Sequence, residues 1–285
     1  MELVCVMGKK AGKINNQRGT IYIGKKNNIY QHIIVLKENR HKRHRYQEIF
    51  VEGVRNINNA LKHGWIVKHW IYQTGKSLSN WANNLIQTYP SICDYSFVES
   101  LIDDISGKNE KSELMAIFEM KKMVVTPSSN PFILLCNKPS KKGNLGSIIR
   151  SADSFGCDGI IVTGHAVDIY DPEVIIASMG SYFSINIQKL ETNQEVVNYI
   201  TELRQKYPDL QVIATTEKGE DSIRDLNYTS PILLLMGNET DGLSMFYWDI
   251  CDKKVKIPMV GEASSFNLAC ATTIFLYEIF SQRNC

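Results

Sequence analysis

No stretch of this 285-residue chain approaches the roughly 18–20 consecutive apolar residues that a bilayer crossing needs. Its start, MELVCVMGKK, has no basic segment ahead of a long apolar one, so neither a membrane helix nor a signal peptide is expected. Cysteine is sparse: seven residues, at 5, 93, 136, 157, 251, 270 and 285, with no Cys-x-x-Cys pair and no histidine cluster to complete a zinc set. Neither a disulfide scaffold nor a metal is expected, and several of these thiols sit in apolar runs as small hydrophobes. That usage suits a reducing, cytoplasmic compartment. Internal repeats and low-complexity tracts are absent. So are the two glycine orders that cradle nucleotide phosphates, Gly-x-x-x-x-Gly-Lys-Ser/Thr and Gly-x-Gly-x-x-Gly, around the strand FILLC where one might stand.

What is present is an ordinary globular composition, 44% hydrophobic and 22% charged, enough for a full core in one large or two modest domains. The net charge of +2 hides an asymmetry. Residues 1–126 carry 19 Lys/Arg against 11 Asp/Glu, and residues 127–285 carry 13 against 19. A basic half joined to an acidic half suggests that the first grips a polyanion. The basic half contains loops at 8–19 and 24–28 around a strand TIYI, then a helix over 29–37. The run RHKRHR follows, with Arg40, Lys42, Arg43 and Arg45 interleaved with histidines. A strand EIFVEG, an amphipathic helix with Val54, Ile57, Ala60 and Leu61 on one face, and three further strands, VKHWIYQ, ICDYSF and ELMAIFEM, make a small α/β domain. VVTPSSNP, 124–131, reads as a linker. Beyond it strands and helices alternate to the C-terminus. QVIATT and PILLLMG are nearly all apolar, as parallel strands covered on both faces are. A doubly wound parallel sheet is expected.

Three clusters carry chemistry. The first, NLGSIIRSADSFG, follows a buried strand. On its helix Ile148, Ile149, Ala152 and Phe155 form an apolar stripe, and Arg150 points away from it, placed either as an ordinary solvated side chain or to hold a phosphate or a developing alkoxide. The second is LLLMGNETDGLS, where a strand stops at Gly237 and Asn238 and Glu239 follow. Gly237 would let a ligand approach the backbone, and Glu239 reads as a first-turn acid of a following helix. The third is IPMVGEASSFNLACATT, where Ser264 or Ser265 could cap the last helix.

Together, Asn144-x-Gly-x-x-x-Arg150, Leu-x-x-Gly237-x-Glu239-x-x-Gly-Leu and Ile257-Pro-Met259-x-Gly-x-x-Ser-Ser265-x-Asn267 resemble the SpoU-type RNA ribose 2′-O-methyltransferases of the SPOUT superfamily. IFVEGVRNINNALKHG is similar to that family's substrate-binding domain. The resemblance implies an N-terminal arm over 1–36, an α/β RNA-binding domain over 37–123, and a SPOUT domain over 132–285 with a deep trefoil knot. It implies S-adenosylmethionine as methyl donor, held by Thr215, Gly237, Asn238, Ile257, Met259 and Phe266, and a catalytic set of Asn144, Arg150, Glu239, Ser265 and Asn267. No metal is required. The family is dimeric, with the site completed across the interface. The expected substrate is 23S ribosomal RNA, with ribosome-directed antibiotic resistance as an implied consequence and transfer RNA as the alternative. Arg40, Lys42, Arg43 and Arg45 are the expected RNA contacts. The family's Ser-Leu-Asn-Val-Ser is here Ser265-Phe266-Asn267-Leu268-Ala269, which keeps the pocket wall apolar. Two rivals stand beside this reading: a dinucleotide-dependent enzyme, which lacks its glycine loop, and an RNA-binding protein with an inactive catalytic domain.

Overall fold

The computed structural model describes residues 19–106 and 111–284; the chain divides into two compact units after Lys121. The basic loop expected over 8–19 lies, Gly19 apart, outside the described residues.

The first unit is a mixed five-stranded sheet in the order β1-β4-β3-β5-β2. Its elements are β1 (Thr20–Ile23), α1 (Asn28–Glu38), α2 (Arg40–Tyr46), β2 (Glu48–Glu52), α3 (Val54–Lys62), β3 (Val67–Gln73), α4 (Asn80–Thr88), β4 (Asp94–Phe97), α5 (Glu99–Ser106) and β5 (Leu114–Glu119). On one face, Ile33 and Leu36 of α1 and Leu101 and Ile105 of α5 pack on Phe50, Ile71, Phe97 and Ile117. The two-residue alternation of the strands sends Val51, Trp70 and Phe118 to the other face. On α3, Ile57, Ala60 and Leu61 are buried, but Val54, expected with them, is exposed because it opens the helix straight after Gly53. β1 pairs with β4 along its whole length and α1 supplies core residues. The arm expected over 1–36 therefore gives way to the sheet domain at β1.

The basic run forms helix α2, and its charges divide. Asn39 ends α1 and starts α2, its side chain accepting from Lys42 N at 3.1 Å. One turn on, Arg43 points inward and is 1% exposed. Its Nη1 donates to Leu36 O at 2.9 Å and Lys37 O at 3.0 Å, carbonyls left open at the end of α1. Arg43 is thus a structural cap and not an RNA contact.

The second unit comprises β6 (Phe132–Asn137), α6 (Lys142–Ser154), β7 (Gly159–Thr163), α7 (Pro172–Ala177), β8 (Ile187–Leu190), α8 (Asn193–Lys206), β9 (Gln211–Thr215), β10 (Asp221–Ser222), β11 (Ile232–Met236), α9 (Met245–Ile250), β12 (Lys253–Lys256) and α10 (Leu268–Arg283). The seven strands lie in the order β10-β12-β9-β11-β6-β7-β8, every pair parallel. Ile133, Leu135, Val212, Leu233 and Leu235 pack under Val196, Ile200 and Leu203 of α8 and Tyr247 of α9. Fully burying each such side chain stabilises by ~1.5–3 kcal/mol. The opposite face carries α6, α7 and α10. Gly146 of α6 is buried there: an added Cβ would stand 2.4 Å from Ala177 Cβ and 2.8 Å from Val174 O. That glycine serves helix–helix packing, not the approach of a ligand. Lys142 Nζ ties the same helix to the start of α7, at 3.2 Å from Asp171 and 2.8 Å from Glu173. The expected linker is docked on this unit: Val125 N donates to Gln188 Oε1 at 3.0 Å, and Ser128 N to Asp158 Oδ1 at 2.8 Å.

Candidate active site

The carboxyl ends of adjacent parallel strands are where doubly wound sheets bind ligands. Here the chain leaving β9, β11 and β12, and the segment entering α10, converge on a cleft of about 300 Å³. All six residues expected to hold the donor line it: Thr215, Gly237, Asn238, Ile257, Met259 and Phe266. Glu239 and Ser265 of the expected catalytic set line it too. Met236 and Phe275 close its floor, each 2% exposed.

The loop after β11 is rigid for a local reason. Asn238 N donates to Gly242 O at 3.0 Å, and Asn238 Oδ1 accepts from Thr240 N at 2.9 Å and Asp241 N at 2.6 Å. At Gly237 an added Cβ would meet Gly242 C at 2.2 Å. The glycine is required by its own loop, beyond any need of a ligand. Thr215 Oγ1 donates to Leu235 O at 3.0 Å, joining two of the strand ends.

Glu239 does not start the helix that follows it. Its carboxylate reaches the amino end of α6, a helix with no side-chain cap of its own. Oε2 accepts from Ser140 N at 3.0 Å and Ser140 Oγ at 2.7 Å; Oε1 accepts from Lys141 N at 3.2 Å and Asn144 Nδ2 at 2.8 Å. An anion at that end also complements the helix dipole. Burial pushes the carboxyl up, but the hydrogen bonds from Ser140 and Asn144 outweigh burial and hold it below its ordinary value. Asn144 Oδ1 in turn accepts from Asn267 Nδ2 at 3.2 Å. Asn267, and neither Ser264 nor Ser265, is the cap of α10, its Oδ1 accepting from Ala269 N at 2.9 Å and Cys270 N at 3.4 Å. One chain of hydrogen bonds thus joins the cleft wall to the starts of α6 and α10.

Arg150 stands apart. It is exposed two turns along α6 from Asn144, does not line the cleft, and its side chain has no hydrogen bond or ion pair among the described residues. Cys136, behind the cleft, is pushed up to about 12 by burial first and by the charge of Glu239 second, so it stays a neutral thiol. Ser140 escaped the sequence reading because its partner lies 99 residues away. Thr216 and Glu217, also in the cleft, follow a strand end, which was the available signal. Among the described residues no group of three or more His, Cys, Asp or Glu is arranged to hold a metal, and no helix is long and apolar enough to cross a membrane.

A doubly wound parallel sheet with these three motifs gathered at its carboxyl edge defines a methylase class: the chain belongs to the SpoU rRNA methylase family, whose model matches residues 131–277. A SpoU L30e-like domain matches residues 27–116. The chain is 39% identical over 265 residues, 92% of each protein, to the 23S rRNA (uridine(2479)-2′-O)-methyltransferase of Streptomyces viridochromogenes. It superposes on the SpoU methyltransferase AviRb from that organism in complex with the cofactor AdoMet, with a TM-score of 0.83 and 37% identity, covering 90% of this chain and 99% of that one. An AdoMet-bound rRNA methyltransferase from Sinorhizobium meliloti matches with a TM-score of 0.80 and 29% identity, over 91% and 97% of the two chains.

Proposed function

We propose that the protein transfers a methyl group from S-adenosylmethionine to a ribose 2′-hydroxyl of 23S ribosomal RNA. The observation that carries this is the convergence on one cleft of the six residues expected to hold the donor, with Glu239 in its wall bonded through Asn144 to Asn267. The cleft suits that donor: Ile257, Met259 and Phe266 offer apolar cover for a flat base, with Phe266 43% exposed. When bound, the donor supplies a methyl group already activated by a positively charged sulfur.

The chain's own task is then to align the acceptor and stabilise charge. Arg150 holds the target phosphate and the developing alkoxide; its guanidinium is already protonated at neutral pH, so the proton released as the 2′-oxygen takes the methyl group passes to water. Ser265 and Asn267 steady the ribose. Glu239 and Asn144 hold the donor loop against the helix that carries Arg150. Because Arg150 lies outside the cleft of its own chain, a site completed by a second copy of the protein fits it best. On α10, Leu268 and Phe275 are buried within the chain and cannot meet a second copy. The large exposed apolar residues there are Tyr277 and Phe280, both against Phe155 just after α6, and they are the better candidates. The family's trefoil knot would be closed by the chain from Gly237 onward. Arg40, Lys42 and Arg45 remain as RNA contacts on the basic unit.

The test is transfer of tritiated methyl to deproteinised 23S rRNA and to transfer RNA, with the modified ribose mapped by its resistance to alkaline cleavage. Label in 23S rRNA is expected. Label in transfer RNA alone would move the substrate, and label in neither would overturn the reading.

A further inference from the structure

A second built feature lies in the first unit, where α1, α2, β2 and β3 meet. Glu48, 6% exposed, opens β2. Its Oε2 accepts from His32 Nε2 of α1 at 2.5 Å, and its Oε1 from Lys68 Nζ of β3. A carboxylate only accepts, so Nε2 carries a proton. Burial pushes the Glu48 carboxyl up, yet His32 and Lys68 outweigh it and hold the group below its ordinary value. It stays ionised at neutral pH and fixes both partners, which remain open to solvent at 27% and 25% of their side-chain surface. Tyr46, the last residue of α2, packs against His32 with ring centroids 4.6 Å apart at 62°. One turn earlier, Lys42 places Nζ 5.8 Å from the centre of the Tyr46 ring.

The chain between Tyr46 and Glu48 is held in an uncommon shape. Gln47 has φ 55, a left-handed conformation that non-glycine residues seldom adopt. Its carbonyl accepts from Met120 N at 2.9 Å and its side chain donates to His44 O at 2.6 Å. That conformation ends α2, with Gln47 N donating to Arg43 O, and leaves Tyr46 at the exposed end of the helix. Of these residues only Lys42 enters the proposed function, as an RNA contact; Tyr46, His32, Glu48 and Lys68 have no part in it.

We propose that Tyr46 and His32 form a platform for an unstacked base of the RNA substrate, with Lys42 and Lys68 meeting the neighbouring phosphates. This rests on the reading of the protein as an RNA methyltransferase. Looped-out bases stack on aromatic rings, and the phosphates beside them seek cations. Here a buried carboxylate fixes His32 and Lys68, His32 packs against the Tyr46 ring, and Lys42 stands over that ring, so rings and cations are offered outward while the negative charge is covered. The orientation is set before binding, which lowers the entropy lost on capture.

The test compares wild type, Tyr46→Ala, Tyr46→Phe and Lys42→Ala as full chains binding deproteinised 23S rRNA over a salt series. Tyr46→Ala should weaken binding by about 5–150-fold, the range for one base–aromatic stack, with the salt slope unchanged. Tyr46→Phe should bind within about twofold of wild type, since the ring and not the hydroxyl carries the stack. Lys42→Ala should lower the slope by about one ion. Wild-type affinity in Tyr46→Ala, or equal losses in Tyr46→Phe and Tyr46→Ala, would overturn the platform. Ultraviolet crosslinking of the wild-type complex needs no variant: crosslinks at Tyr46 or His32 are expected, and crosslinks only elsewhere would overturn it. Methyl transfer by the wild type is measured alongside. A wild type that methylates no RNA overturns the parent reading; one that methylates rRNA while Tyr46→Ala binds normally overturns the platform alone.

Discussion

Replacing Glu239 by Gln should loosen the donor cleft and the helix beside it together. The carboxylate presents two oxygens to four donors, from Ser140 N, Ser140 Oγ, Lys141 N and Asn144 Nδ2. An amide keeps one oxygen, so two of those donors face an N–H group instead. A hydrogen bond to a charged group contributes ~1.5–3 kcal/mol net. Two would give ~3–6 kcal/mol, but Glu239 is only partly covered and water competes, so we take ~1–2 kcal/mol. For a unit of this size that lowers Tm by about 2–8 °C. If the cleft wall feels the same amount, the Kd for S-adenosylmethionine rises ~5–30-fold. The pH dependence has a definite sign. The carboxyl is held below its ordinary value, so its contribution is complete above the ordinary glutamate pKa of ~4.3. It is lost as pH falls through the lower value of the folded state. Wild-type donor affinity should therefore show an acid limb that Glu239→Gln lacks. Differential scanning calorimetry and titration calorimetry across pH measure both. A variant with wild-type Tm, donor affinity and acid limb would refute the role given to this carboxylate.

Arg150→Ala should lower methyl transfer by ~10²–10³-fold while titration calorimetry finds donor binding intact, and Arg150→Lys should recover little because an ammonium lacks the planar fork; more than about a tenth of wild-type turnover, far above that estimate, would make Arg150 an ordinary surface residue. Gly146→Ala should destabilise the second unit by ~1–3 kcal/mol through overpacking against Ala177 and Val174, seen as a lower Tm. Arg43→Met should cost ~2–3 kcal/mol by stranding the last carbonyls of α1, yet leave the salt slope of RNA binding unchanged, whereas Arg45→Ala should reduce that slope by about one ion.

The strands of the second unit were legible because their side chains repeat in patterns that burial on two faces dictates, and FILLC, GIIVT and ILLLM each became strands. The start of α7 rests on local signals of the same kind, an Asp171 cap followed at once by Pro172. What escaped the sequence depended on partners far along the chain. Arg43 looked like its neighbours in a charged run, and only the helical turn beneath the end of α1 sets it inward. Glu239 was read as meeting the dipole of a helix, and it does, but the helix lies nearly a hundred residues earlier. Gly146 carries no signal of its own beyond its place in the first motif, and only the packing of α7 against it shows why a side chain is excluded there. The short helix α9, Met245–Ile250, has too few turns to print a periodic pattern. The motif residues were found by resemblance, and their spacing alone would not have told Asn267 as a cap from Ser264 or Ser265.

One inner strand of the parallel sheet has a consequence for synthesis. β6 is buried throughout, and one of its edges pairs with β7 soon after it emerges. The other edge pairs with β11, where Phe132 meets Ile232, so about 100 residues must be added before that edge is covered. At ~5–20 residues per second that takes ~5–20 s. Through this interval the nascent chain presents Phe-Ile-Leu-Leu-Cys with unpaired backbone groups, a template for pairing with other chains. A ribosome stalled between β8 and β11 would hold this edge open indefinitely, and fragments ending there should aggregate where the whole chain folds.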